Sequence, residues 1–219
     1  MLPATKQKLD ALYAGGAHRG TDGRLHDIDE RTRVSFEQGE LIAKLHDELR
    51  PRLSVEIGMA YGFSTLFILD AMARGVYGQH IAIDPFQKTL WHGVGLAAVD
   101  DAGLGSRWRP RRFRWAEARS SLALSRMHAG KRRAQFVYID GSHLFEDTLM
   151  DFSLSDKILD IEGLIILDDM WMPAVRRVVD FVTKNFEGYY ERVDVRHGNV
   201  SCFRKRALDE RPWDHFADF

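Results

Sequence analysis

The stretch "LSVEIGMAYGFSTLFILDAMARG", Leu53–Gly75, decides the fold. Leu53–Gly58 is a short apolar run that reads as a strand. Ser64–Gly75 continues as a helix, and Gly58 and Gly62 stand in the turn between them. A strand that runs through a glycine turn into a helix is the first half of a β-α-β unit, in which the chain returns to pair in parallel. One such unit would be weak evidence, so the reading depends on what lies on either side.

Downstream the alternation persists. "QHIAID" (Gln79–Asp84) reads as a strand, "LWHGVGLAAVDDAG" (Leu90–Gly103) as a helix and "RFRWA" (Arg112–Ala116) as a strand. "SSLALSRMHAG" (Ser120–Gly130) is a helix, "AQFVYID" (Ala134–Asp140) a strand and "EDTLMDFSLSDKILD" (Glu146–Asp160) a helix. "GLIILDD" (Gly163–Asp169) is a strand, and Pro173–Phe186 is a helix with proline at a favourable first position. Tyr189–Arg196 and Asn199–Lys205 flank "HGN", a hairpin signal. Upstream, Ser35–Arg50 opens with Ser35 as cap and Gln38 three residues on, and Leu41, Ile42, Leu45 and Leu49 follow helical spacing. Gly15–Arg33 is polar, contains glycine and reads as a loop or lid.

Strand–helix alternation predicts an α/β fold: a Rossmann-like, doubly wound, seven-stranded sheet, parallel with a C-terminal antiparallel hairpin and extra N-terminal helices. The strands are short and continuously apolar, as expected when both sheet faces are covered. The expected division is an N-terminal helix and lid segment over 1–34, a cofactor-binding domain over 35–206 and a tail over 207–219.

The bulk numbers exclude several classes. Lys+Arg number 31 against 32 Asp+Glu, so the net charge of −1 argues against a nucleic-acid footprint over the whole domain. The one basic run, "RWRPRRFR" (Arg107–Arg114), is a phosphate-binding candidate or a solvated face. Cys202 is the single cysteine, so no internal disulfide forms and a reducing, cytoplasmic setting is expected. The N-terminus has no long apolar core, which predicts no signal peptide. No apolar run approaches membrane-spanning length, which predicts no membrane partner.

In an open α/β sheet, ligands bind beyond the carboxyl ends of the strands. Those ends carry Glu56, Asp84, Asp140 and the pair Asp168–Asp169, so acids converge on one edge. Gly58 and Gly62 allow a tight turn and close approach of a ligand. A dinucleotide fingerprint would be G-x-G-x-x-G, whereas here two glycines stand four apart behind an acid. Glu56 would repel a pyrophosphate and welcome a cationic ligand. S-adenosylmethionine carries an ammonium and a sulfonium and lacks phosphate. Asp84 is placed to accept hydrogen bonds from ribose hydroxyls.

"VEIGMAYGFSTL", "AIDPFQ", "VYIDGSH" and "LIILDD" together resemble the small class I S-adenosylmethionine-dependent O-methyltransferases. The metal-dependent kind is nearest: catechol O-methyltransferase-like enzymes, and above all macrocin-type antibiotic sugar O-methyltransferases. The resemblance spans roughly Val34 to Arg204. It implies that Glu56, Gly58, Tyr61, Gly62 and Ser64 contact the cofactor's methionine end, and that Asp84 holds the ribose. It places Ala116 and Glu117 where the family has a Gly-Asp pair touching adenine. It implies magnesium on Asp140, Asp168 and Asp169, with Asp140 also beside the cofactor. His143, three residues after Asp140, matches a histidine proposed as general base in macrolide sugar methyltransferases; a histidine titrates near neutrality and can take the substrate proton.

Mg²⁺ takes six oxygens and usually keeps waters or substrate oxygens, so three carboxylates leave room for a hydroxyl. The reading is therefore a Mg²⁺-dependent O-methyltransferase acting on a small hydroxylated metabolite, sugar or phenolic. A metal-independent methyltransferase and a non-catalytic cofactor-binding module are the alternatives; an NAD-dependent oxidoreductase fits the glycine pattern worst. Glu146 and Asp147 read as a helix start, and His92 and Trp91 as pocket or packing residues. The aromatic tail Arg211–Phe219 is a candidate for packing against a second copy in a homo-oligomer.

Overall fold

The computed structural model describes residues 1–105 and 112–219. Residues 107–111 of the basic run therefore lie outside the described residues. The fold is α/β and Rossmann-like, with a seven-stranded, mostly parallel sheet among the described residues and an antiparallel C-terminal hairpin. The chain divides into two compact units, Met1–Arg119 and Ser120–Phe219.

The first unit opens with helix α1 (Pro3–Tyr13), the short strands β1 (Ala17–Arg19) and β2 (Leu25–Asp27), and a single 3-10 turn at Glu30–Thr32. Helix α2 (Phe36–Leu49) follows, capped by Ser35 Oγ, which accepts from Gln38 N at 3.1 Å. Then come β3 (Leu53–Ile57), α3 (Phe63–Gly75), β4 (Gln79–Ile83), α4 (Val94–Asp101) and β5 (Phe113–Ala116). These three strands pair in parallel in the order β5-β4-β3. Every α3 residue from Phe63 to Met72 is buried, with apolar residues on all sides and the polar Ser64, Thr65 and Asp70 hydrogen-bonded within the fold.

The second unit holds α5 (Ser120–Ala129), β6 (Ala134–Ile139), α6 (Phe145–Ile158), β7 (Leu159–Leu167), α7 (Pro173–Asn185), β8 (Tyr190–Val193) and β9 (Ser201–Lys205). β6 and β7 are parallel, and β9 pairs antiparallel with both β7 and β8. Helix α7 buries Val175, Val178, Val179 and Val182, a stripe at helical spacing that faces inward while arginines face water.

Four local expectations change. Gly15–Arg33 is not a bare loop: β1 and β2 form a hairpin with Ala17 opposite Asp27, turned by Asp22, whose Oδ1 accepts from Arg24 N at 2.9 Å. The helix expected from Leu90 begins only at Val94, because His92 (φ 51°) and Gly93 (φ 69°) are left-handed. β7 begins at Leu159 rather than Gly163, since Leu159 already pairs with Ala134 before a register shift. The helix expected to reach Asp160 ends at Ile158 accordingly.

Candidate active site

The predicted site residues fall into two clusters, one in each unit.

In the first unit the turn after β3 is built on left-handed residues: Gly58 (φ 87°), Ala60 (φ 43°) and Gly62 (φ 85°). Gly62 caps α3. It lies against Gly95 of α4: a Cβ on Gly95 would stand 2.5 Å from Ala60 O, and one on Gly62 would stand 3.2 Å from Gly95 Cα. Glycine at 62 is thus needed twice, for its φ and for this approach.

Glu56 departs from expectation. Its side chain has no solvent exposure, and Oε1 accepts from Ser64 Oγ at 2.5 Å. Oε2 accepts from Thr65 Oγ1 at 2.6 Å and lies 3.2 Å from His80 Nε2. The carboxylate expected to greet a cationic ligand is turned inward, and so is Ser64. A strand residue facing two helix hydroxyls and a histidine is satisfied internally; it ties the start of α3 to β3 and β4. His80, whose Nδ1 lies 2.9 Å from Ser54 Oγ, completes this buried network. The sequence signal for it was a polar residue inside an otherwise apolar strand.

Asp84 is also buried and gathers the turn. Its Oδ2 accepts from Met59 N (3.1 Å), Ala60 N (3.0 Å) and Gln87 Nε2 (3.1 Å), and its Oδ1 from Phe86 N (2.7 Å). A carboxylate oxygen has about two lone-pair sites, so one place on Oδ1 stays open. Tyr61 is buried; its hydroxyl accepts from Asp29 N at 3.3 Å, and its ring meets Trp91 edge-on at 5.2 Å. Trp91 thus packs on the glycine turn, and His92 stacks on His26 of β2 at 4.1 Å. Ala116 O accepts from Asp84 N at 3.1 Å, while the exposed Glu117 pairs with Lys88 at 2.9 Å.

In the second unit, ligand atoms of Asp140, His143 and Asp169 all lie within 4.8 Å of one another. His143 Nε2 stands 2.9 Å from Asp169 Oδ2 and 3.6 Å from Asp140 Oδ1. Asp140, and then Asp169, push the His143 pKa up to about 10. Burial, reinforced by the Asp168 carboxylate, drives Asp140 well above the usual range. Burial works to raise Asp169 too, but His143, Trp171 and Asn199 outweigh it and hold that acid below its ordinary value. Asp169 is itself left-handed (φ 59°), a strained position for a non-glycine residue.

Asp168 does not join this cluster. It is buried, accepts from the Tyr138 hydroxyl, and takes Asn199 Nδ2 at 2.9 Å and Asp169 N at 2.6 Å on Oδ1. Of the expected trio, Asp140 and Asp169 lie with His143 at this spacing, while Asp168 is held by Tyr138, Asn199 and the Asp169 amide and its charge still bears on Asp140. Asn199 Nδ2 also reaches Asp169 Oδ1 at 3.3 Å, so one amide steers both acids. Asn199 and Tyr138 escaped the sequence reading because a turn asparagine and a strand tyrosine look ordinary. Glu146 and Asp147 lie in the first turn of α6, as expected.

Two carboxylates and an imidazole at this spacing fit a small divalent cation: hard oxygen donors suit Mg²⁺, and the imidazole nitrogen also suits transition metals.

Comparison with solved structures shows the same fold at low identity. Cofactor-bound Rv0187 from MTB has a TM-score of 0.68 at 17% identity, covering 94% of this chain and 91% of that one. The O-methyltransferase from Bacillus cereus in complex with SAH has a TM-score of 0.64 at 17% identity, over 94% and 92%. The O-methyltransferase TomG from Streptomyces achromogenes, involved in tomaymycin synthesis and solved with SAM, has a TM-score of 0.66 at 16% identity, over 94% and 91%. No curated protein sequence matches the chain. A family described as "Methyltransferase domain" matches residues 55–170, which takes in the glycine turn, Asp84, Asp140, His143 and the Asp168–Asp169 pair. The chain belongs to this methyltransferase-domain family.

Proposed function

We infer that the protein is an S-adenosylmethionine-dependent O-methyltransferase that uses a divalent cation and acts on a hydroxyl of a small sugar or phenolic metabolite. The observation that carries the metal reading is the convergence of the Asp140 and Asp169 carboxylates beside His143. Family membership supports the transfer, and the O-methyltransferase neighbours with SAM or SAH support the donor and the oxygen acceptor.

In the reaction, a substrate oxygen forms a bond to the methyl carbon as the carbon–sulfur bond breaks, leaving S-adenosylhomocysteine and a methyl ether. A bound cation would act as a Lewis acid, holding the hydroxyl and easing loss of its proton. Asp140 and Asp169 would supply its carboxylate ligands. His143 would take the substrate proton on its imidazole. Asp140 and Asp169 hold the His143 pKa up to about 10, and a cation held by those two acids would offset that pull. Gly58, Gly62 and Asp84 would hold the cofactor, with Glu56 and Ser64 stiffening the turn from inside.

One observation favours a second reading, a metal-independent methyltransferase. His143 already lies against both acids, as a charge that could balance them without a metal. Labelled methyl transfer to a panel of hydroxyl acceptors, before and after EDTA and with Mg²⁺ restored, separates the two. Loss in EDTA with recovery on Mg²⁺ supports the metal reading, and full activity in EDTA sinks it. Tight S-adenosylhomocysteine binding without turnover on any acceptor would favour a cofactor-binding module instead.

The near-zero charge supports a small-molecule partner over nucleic acid, and the single cysteine supports a cytoplasmic setting. Among the described residues no helix is long and apolar enough to cross a membrane. Trp213 (98% exposed) and Phe216 (65%) offer apolar area to a second copy of the chain, which light scattering would detect as a dimer.

A further inference from the structure

Gln87 lies three residues beyond Asp84 and has no solvent exposure. Its amide nitrogen donates to Ala60 O at 2.6 Å and to Asp84 Oδ2 at 3.1 Å. Both partners are acceptors, so the amide cannot be turned around: the nitrogen must face them and the carbonyl must face away. That carbonyl oxygen, Oε1, is buried and has no hydrogen-bond partner among the described residues. Burying an amide oxygen unpaired is costly, and native proteins rarely leave one so. An acceptor held rigidly by two bonds on its other end, with nothing to accept, is a place for a donor from outside the chain.

The surroundings identify the donor. A ribose presents two neighbouring hydroxyls. Asp84 carries three donors on Oδ2 and one on Oδ1, which leaves room for one hydroxyl and not two. The second needs another acceptor beside Asp84, and Gln87 is bonded to that carboxylate. A neutral carbonyl suits a hydroxyl; an ammonium would favour a carboxylate.

We propose that the side-chain carbonyl of Gln87 accepts a hydrogen bond from a ribose hydroxyl of the adenosyl cofactor, sharing the diol with Asp84. This rests on the cofactor reading above. The same residue reaches the N-terminal hairpin through its main chain. Gln87 O accepts from Gly93 N at 2.5 Å, and the neighbouring His92 O accepts from Thr21 N at 3.2 Å, in the hairpin turn.

The test is a cycle between ligand and residue, read by calorimetry. S-adenosylhomocysteine and its 2′-deoxy, 3′-deoxy and N6,N6-dimethyl analogues are titrated into the parent and into Gln87→Met, which is of similar size. The variant should bind S-adenosylhomocysteine roughly three- to tenfold more weakly, the worth of one neutral hydrogen bond. One deoxy analogue should lose a similar factor on the parent and bind parent and variant alike. Equal losses for every ligand on both proteins would overturn the proposal while leaving the cofactor reading intact. If only the dimethyl analogue shows the coupling, the donor is adenine and the ribose assignment fails. A parent that binds no S-adenosylhomocysteine overturns the cofactor reading, and this proposal with it. Should Gln87→Met not fold, the ¹³C carbonyl resonance of Gln87 in the parent gives the same answer. It should shift with S-adenosylhomocysteine and not with one deoxy analogue, and indifference to both would overturn the proposal.

Discussion

Glu56 on β3 and His80 on β4 meet in the interior of the first unit, Nε2 to Oε2 at 3.2 Å, and neither side chain is exposed to solvent. The carboxylate has Ser64 and Thr65 as further donors, so it joins two strands to the start of the helix behind the glycine turn. Removing one member of such a network leaves the others buried without a partner.

His80→Phe should therefore cost roughly 3 kcal/mol of folding stability, and Glu56→Ala at least as much. Urea denaturation measures both. His80→Gln, which can still donate, should recover much of the loss. A fully stable His80→Phe protein would show that the pair carries no structural load.

Gly95→Ala should weaken cofactor binding more than it weakens the fold. The added Cβ would stand 2.5 Å from Ala60 O, and a backbone carbonyl can move away only if the whole turn moves. Calorimetric affinity for S-adenosylhomocysteine, set beside a melting curve, separates the two effects. A drop of roughly tenfold in affinity with a small change in melting temperature is expected, since one hydrogen bond lost from the displaced turn is worth about that much.

Asn199→Ala should change metal affinity without removing a ligand. Its amide holds Asp168 at 2.9 Å and Asp169 at 3.3 Å, and groups that orient ligand carboxylates typically matter by about 10- to 100-fold in affinity. Mn²⁺ binding followed by electron paramagnetic resonance would report this. Asp169→Asn should be worse than Asn199→Ala; the reverse order would place the cation elsewhere.

Asp151 of α6 supplies a pH test away from the site. It is buried, one carboxylate oxygen has no partner among the described residues, and burial raises its pKa from 3.8 to about 6. The folded state thus holds a proton that the unfolded chain gives up. Its stabilising effect is complete below the unfolded value and is lost as pH rises through about 6. Asp151→Asn should be more stable than the parent at pH 7 by roughly 1–3 kcal/mol, with the gap closing near pH 4. Denaturation midpoints across pH 4–8 measure it.

Much of this molecule was legible along the chain, because secondary structure follows from local period and punctuation. The apolar runs marked the strands of the main sheet, Ser35 marked the cap of α2 and Pro173 the start of α7. The acids at Asp84, Asp140 and Asp169 were visible because strand ends in this architecture share one edge. The hairpin within Gly15–Arg33 was less visible. Its strands are three residues each, too short for alternation to show, and they depend on partners such as His92.

What the chain alone could not reveal was the direction in which each acid points. Glu56, Asp168 and Asp169 look alike in sequence. Glu56 turns inward because Ser64, Thr65 and His80 arrive from α3 and β4 to satisfy it. Asp168 turns toward Tyr138 and Asn199, which leaves Asp169 beside His143. A side chain's orientation is set by which donors the fold brings within about 3 Å, and those donors come from residues 8 to 31 positions away. Sequence marked acids at the strand ends; only the packing of neighbouring strands and helices decided that Glu56 and Asp168 turn to partners within the fold and that Asp169 lies beside His143.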